Sequence, residues 1–224
     1  LKPNRLEAAK SVAIDFVNRR PTDRIGVVIF AGESFTQCPL TTDYAVVIAA
    51  IRNIRNGLLL DGTAIGSGLS TSVDRIRNSK SKSKVIILLT DGENNGGLID
   101  PQTAKEIAKA FAIKVYTIGV GTIGEAPMPF RNPDGSISTI MQKVAIDEPL
   151  MKQIATETGG KYFRATDNNS LSEIYTSIDQ LEKSKVEVIK NVKFENKFLP
   201  FVAAAIFFLM LDILFRYWIL RKFP

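Results

Sequence analysis

Apolar residues recur in two rhythms along the chain, and the rhythm changes from segment to segment. Leu6, Ala9, Ala13, Phe16 and Val17 repeat at helical spacing before Pro21, so residues 5–19 read as an amphipathic helix. Residues 24–31 (RIGVVIFA) form a continuous apolar run of strand length, which suits a strand buried on both faces. After Gly32, residues 34–40 are more polar and carry Pro39, as an edge strand would. Asp43 is placed to cap a helix reaching about Arg55, and Asp61-Gly62-Thr63 to open another over 64–77. The run 84–90 (KVIILLT) is a second buried strand. Beyond it the pattern predicts a helix from Pro101 to 112, a strand over 114–120 (KVYTIGV), a helix over 148–158, a short strand over 161–164 and a helix over 170–183. Strands alternating with helices of about 10–15 residues imply right-handed βαβ units and a mostly parallel, doubly wound sheet with helices on both faces.

Two stretches break the alternation. Residues 121–147 carry Ala126-Pro127-Met128-Pro129 and then Asp134-Gly135 between extended runs, which predicts an inserted β-hairpin at the ligand-facing rim of the sheet. The tail is uncharged from Phe198 to Leu211, and up to Leu220 only Asp212 and Arg216 intervene, four apart on one helical face. Tyr217 and Trp218 stand where an interfacial aromatic belt would, and Arg221-Lys222 closes the segment. Residues 198–220 therefore read as a transmembrane helix, with a helix docked on the domain or at an interface as the alternative. The expected organisation is a domain over 1–184 with its insertion at 121–147, a juxtamembrane linker over 185–197, the span over 198–220 and a tail over 221–224. Lysines on the domain side of the span conflict with a periplasmic domain under a literal positive-inside count, and Glu187 and Glu195 partly offset them.

Composition removes whole classes of chemistry. The chain has 224 residues, one cysteine and no histidine. Ser-His-Asp and Cys-His catalysis are excluded, as are the common structural zinc sites. Cys38 has no partner for an internal disulfide and reads as a small buried apolar residue. The net charge of +6 gathers at Arg52 with Arg55, over 75–84 and over 183–197. The run over 75–84 alternates with serine and lacks interleaved aromatics, so it reads as a solvated loop rather than a nucleic-acid surface. Gly119-Val120-Gly121-Thr122-Ile123-Gly124 follows a strand, but the prolines behind it leave no helix terminus for a pyrophosphate.

What remains is an oxygen site. Asp91 closes the 84–90 strand and opens the loop Asp91-Gly92-Glu93-Asn94-Asn95-Gly96-Gly97, and Thr63 begins a helix upstream. A carboxylate and a threonine hydroxyl are hard donors suited to Mg²⁺ or Mn²⁺, at the strand ends where open α/β sheets bind ligands. Taken singly, Asp91-Gly92 is equally a turn and Asp61-Gly62-Thr63 a helix cap. Asp61, Glu93 and Asn94 are candidates for the rim, and solvated loop residues is an equal reading of them.

Thr63 and Asp91 resemble the threonine and second aspartate of the metal-ion-dependent adhesion site of von Willebrand factor A domains. The stretch 147–166, the helix with Glu173-Ile174-Tyr175, Asp179-Gln180-Leu181-Glu182-Lys183 and the apolar tail ending in basic residues and proline look like the aerotolerance (Bat) membrane proteins of the BatA type. The resemblance implies a von Willebrand A, Rossmann-like sheet of order 3-2-1-4-5-6 in the periplasm, held at the bacterial inner membrane. It also implies companion Bat proteins and a MoxR-type AAA+ ATPase as partners. The family's Asp-x-Ser-x-Ser motif on its first strand is missing from this sequence, so the central strand is expected to be missing too, with a gap between the 24–31 and 84–90 strands. The expected function is a non-enzymatic module in which a bound metal captures a partner's carboxylate, with no nucleic-acid partner. A metal-independent scaffold is the alternative; a metal-assisted hydrolase is the weaker one, since Glu93 is the only nearby base.

Overall fold

Residues 4–121, 124–131, 137–144, 146–189 and 198–216 are described in a computed structural model. The chain divides into two units, 1–180 and 181–224. The first helix, α1 (Arg5–Asn18), starts where Asn4 accepts the Glu7 amide at 2.8 Å. It is followed by β1 (Ile25–Phe30) and the edge strand β2 (Ser34–Thr41), paired antiparallel. Asp43 caps α2 (Tyr44–Arg52) by accepting the Val46 amide at 3.2 Å, so this helix stops short of Arg55. Then come α3 (Ile65–Ile76), β3 (Val85–Thr90), α4 (Pro101–Ala110) and β4 (Lys114–Val120).

The insertion is a hairpin, β5 (Gly124–Arg131) paired antiparallel with β6 (Ile137–Val144). Its expected Asp134-Gly135 turn lies outside the described residues. After Gly121 the chain thus resumes as a strand, and no helix follows that glycine run. The domain closes with α5 (Glu148–Glu157), β7 (Tyr162–Ala165) and α6 (Asn168–Ile189), the last running beyond the expected end at 183.

β3, β4 and β7 form a parallel sheet with β4 in the middle. One face buries Ile86, Leu88, Ile113 and Val115 against Leu69, Val73, Ala104, Ala108 and Ile154 of α3, α4 and α5. The other buries Tyr116, Ile118 and Val120 against Val12 of α1 and Leu171, Ile174 and Ile178 of α6. Apolar burial of this kind contributes about 25 cal/mol per Å². Cys38 is buried with Val17, Val47 and Ile51, as its apolar reading expected.

The sheet is not continuous. Among the described residues β1 is hydrogen-bonded to β2 alone, and no ladder joins β1 to β3. Yet helices cover both sides of that junction. α1 packs its Val12 and Phe16 beside β3 and β4, and its Ala13, Ile14 and Val17 beside β1 and β2. On the opposite face Phe30 of β1 packs against the α3 core that also holds Ile86 and Leu88.

The second unit contains α7 (Leu199–Leu214), whose Phe201, Ile206, Phe208 and Met210 are exposed. This corrects the expected span over 198–220: among the described residues no helix is long and apolar enough to cross a membrane. At 1.5 Å per residue the described helix covers about 24 Å, against roughly 30 Å of hydrocarbon. Residues 217–220, with the expected aromatic belt, lie outside the described residues.

Candidate metal-binding site

Two loops meet at the carboxyl end of β3. The first runs into α3 and the second leaves β3, and their joining explains why each has its sequence. Gly62 has φ of +142°, and a β-carbon there would lie 2.9 Å from the Gly32 α-carbon, so this turn requires glycine. The Gly32 amide donates to the Leu60 carbonyl at 2.7 Å and the Ala64 amide to the Ala31 carbonyl at 2.6 Å, which ties this loop to the end of β1.

The expected capping of α3 by Asp61 or Thr63 is not what serves the helix terminus. Its N-cap position is Ala64, which offers no side-chain bond. Asn94 Oδ1 instead accepts the Ile65 amide at 2.9 Å, and Asn95 Oδ1 accepts the Thr63 amide at 2.7 Å. The Asn95 amide donates back to the Thr63 carbonyl at 3.0 Å. Amides that a local cap would satisfy are thus satisfied from another loop. Asn94, expected as a rim residue, has its side-chain oxygen engaged in this way.

The outcome is that Thr63 and the Asp91-Gly92 turn sit together. A β-carbon on Gly92 would lie 3.0 Å from Thr63 Oγ1, so the hydroxyl rests against that turn. Buried Thr90 shapes the turn by accepting the Gly92 amide at 3.3 Å. Asp91 is exposed at the tip, as are Asp61 and Glu93. Arg5, at the first turn of α1, donates to Asp91 Oδ2 at 3.1 Å and lies beside Gly121 at the end of β4. Nothing in the local sequence pattern pointed to Arg5, because its partner is 86 positions away.

Next to Gly121 lies a second cation. Arg164 donates through Nε to the Gly121 carbonyl at 2.8 Å and through Nη1 to Glu148 Oε1 at 2.7 Å. A hydrogen bond from Lys152, with the Arg164 charge adding to it, holds the Glu148 carboxyl below its usual range. Burial pushes the neighbouring Tyr162 hydroxyl up.

The donor chemistry fits a hard divalent cation in kind. Asp91 and Thr63 supply anionic and neutral oxygens, whereas a magnesium-like ion requires about six oxygen ligands. Among the described residues no group of three or more His, Cys, Asp or Glu side chains converges to complete such a shell. The cation in contact with Asp91 in this structure is the Arg5 guanidinium.

A parallel sheet covered on both faces by helices, with an aspartate and a threonine at its carboxyl edge, defines a doubly wound α/β domain. The family model for the von Willebrand factor type A domain matches residues 2–177, and the chain belongs to that family. Among solved structures it is similar to the conserved hypothetical protein BatB from Bacteroides thetaiotaomicron, at 31% identity and a TM-score of 0.66 over 82% of this chain and 91% of that one. It is similar also to an aerotolerance-related membrane protein from Bacteroides fragilis, at 29% identity and a TM-score of 0.65 over 80% and 89% of the two chains. An uncharacterized protein of Borreliella burgdorferi is 28% identical over 194 residues, 87% of this chain and 56% of the relative. The chain thus spans little more than half the length of that curated relative.

Proposed function

We propose that this chain is the greater part of a membrane-anchored, metal-dependent protein-binding module of the Bat type, BatA-like in its details, which captures a carboxylate of a partner protein. The observation that carries this reading is the seating of Thr63 Oγ1 against the Asp91-Gly92 turn at the carboxyl end of β3. Both are oxygen donors suited to Mg²⁺ or Mn²⁺, and a bound divalent ion with an open position attracts an anionic side chain. The remaining ligands come, in this reading, from a strand bearing the Asp-x-Ser-x-Ser motif that enters between β1 and β3. What supports that placement is the junction itself: helices cover both of its faces while no ladder crosses it. Arg5 then gives up Asp91, or shares it, when the metal arrives.

The companions in this reading are other Bat proteins and a MoxR-type ATPase, with the domain on the periplasmic face of the bacterial inner membrane. The exposed apolar surface of α7 supports attachment to a membrane. Binding is favoured over hydrolysis because the site offers no histidine and only Glu93 as a nearby base.

The test is calorimetric titration of Mg²⁺ and Mn²⁺ into the protein carrying its Asp-x-Ser-x-Ser strand, beside Thr63→Ala and Asp91→Ala. The expected result is binding that Asp91→Ala abolishes and Thr63→Ala weakens at least tenfold. Metal-free behaviour in a folded wild type retires the metal mechanism and leaves a structural scaffold.

A further inference from the structure

At the end of the sheet opposite the Asp91 loop, every strand that runs toward that loop is entered on a cation. Arg24 precedes β1, Lys84 precedes β3, Lys114 is the first residue of β4, and Lys161 precedes β7. Backbone bonds fix their levels: the Lys114 amide donates to the Lys84 carbonyl at 3.0 Å, while Lys161 stands opposite Tyr116, two residues further along β4, its carbonyl accepting the Thr117 amide at 3.2 Å. Neighbouring strands are about 4.8 Å apart, so Lys84 and Lys114 are neighbours at this edge with Lys161 a step inward, and the Lys84 ammonium also donates to the Arg77 carbonyl. The loop feeding β3 adds the exposed Lys80 and Lys82 and contains no carboxylate.

Four carboxylates at this end have other engagements, while Asp15 of α1 is exposed. Asp23 pairs with Arg20 at 2.9 Å, Asp74 with Arg77 at 3.0 Å, and Glu157 with Lys105 at 3.0 Å, while Asp43 caps α2. The chain also leaves the domain here. α1 begins beside Asp91 and is followed, two residues past its end, by Arg20, whose Nε lies 2.7 Å from Asp179 Oδ1 near the close of the first unit. Beyond that point the sequence carries Lys183, Lys185, Lys190, Lys193 and Lys197 and then the apolar helix α7.

We propose that this amino-terminal edge of the sheet is a lipid-facing surface that binds the anionic headgroups of phospholipids. The proposal rests on the membrane-anchored reading for the presence of a bilayer, and adds to it an electrostatic contact made by the folded domain. Each lysine near an anionic surface strengthens binding about fivefold, and the effect is lost beyond a Debye length. The edge is therefore attracted to a charged bilayer, with the Asp91 loop directed away from it.

The experiment is flotation of the full chain with vesicles of neutral phosphatidylcholine and with vesicles containing about 30% phosphatidylglycerol, at about 0.1 M and 0.5 M salt. The expected result is roughly a hundredfold stronger partitioning onto the anionic vesicles at low salt, with the difference collapsing at high salt. Lys80→Gln/Lys82→Gln/Lys161→Gln removes most of that difference, and Arg52→Gln/Arg55→Gln, following α2 toward the Asp91 side, keeps it. Equal binding to both vesicles, unchanged by the lysine substitutions, overturns the proposal and leaves the apolar anchor standing. Flotation with neither overturns both. A salt-sensitive affinity for duplex DNA that the same lysines carry, without preference for anionic vesicles, replaces the lipid by a nucleic acid.

Discussion

β1 and β4 are both short apolar runs, IGVVIF and KVYTIGV, and by sequence alone both read as strands. In the structure they differ. β4 has a parallel partner on each edge, and every residue after Lys114 is buried. Among the described residues β1 has only its antiparallel partner β2, and Val27, Val28, Ile29 and Phe30 are half-buried. An apolar sequence makes a strand suitable for the centre of a sheet; only neighbours on both edges and both faces make it central.

The comparison can be broken by mutation. Ile118, fully buried in β4, is the larger test: Ile118→Ala is expected to cost about 2–5 kcal/mol in urea unfolding. Val28→Ala in β1 is expected to cost about 1 kcal/mol, because the side chain already keeps part of its surface in water. Equal losses at the two positions would mean that β1 is as enclosed as β4. With the Asp-x-Ser-x-Ser strand present, the Val28→Ala loss should rise toward that of a core residue.

A smaller effect is expected at the tie between α1 and the end of β3. Arg5 and Asp91 are both substantially exposed, so Arg5→Gln should cost at most about 1 kcal/mol, and less in about 1 M salt. A larger, salt-insensitive loss would show that Arg5 supports packing rather than charge balance.

The smallest effect is a change of slope with pH. Gln153 and then Lys105 hydrogen-bond Glu157 and hold its carboxyl at about 2, against an ordinary 4.5. Because the folded value is depressed, the stabilisation is present above about 4.5 and lost as pH falls toward about 2. Unfolding midpoints of wild type and Glu157→Gln should therefore converge over that window and stay apart above it. Parallel curves would show that the α4–α5 ion cluster contributes nothing to the three-stranded half of the domain.

Elements set by nearest neighbours were legible in the sequence. The 114–120 strand, the Asp43 cap and the proline-started helix at 101 each follow from a few adjacent residues. So did the position of Asp91 at a strand's carboxyl end. Contacts that join distant segments were not legible. Asn94 and Asn95 read as loop residues until α3 is seen to start against them, and Arg5 reads as one more cation on an amphipathic helix. The α6 boundary was missed for a different reason: residues 182–187 read Glu-Lys-Ser-Lys-Val-Glu, and lysine and glutamate continue a helix as readily as they end one.

The bidentate grip of Arg164 has a consequence for how such proteins diversify. One guanidinium holds Gly121, where the hairpin departs, and Glu148, where the main fold resumes. The Gly121 amide is also fastened to the Ala165 carbonyl at 2.8 Å. The intervening excursion therefore starts and finishes at one anchored doorway, and its length places no demand on the strands beneath. A change in its length can therefore be absorbed above that doorway while the parallel strands keep their register.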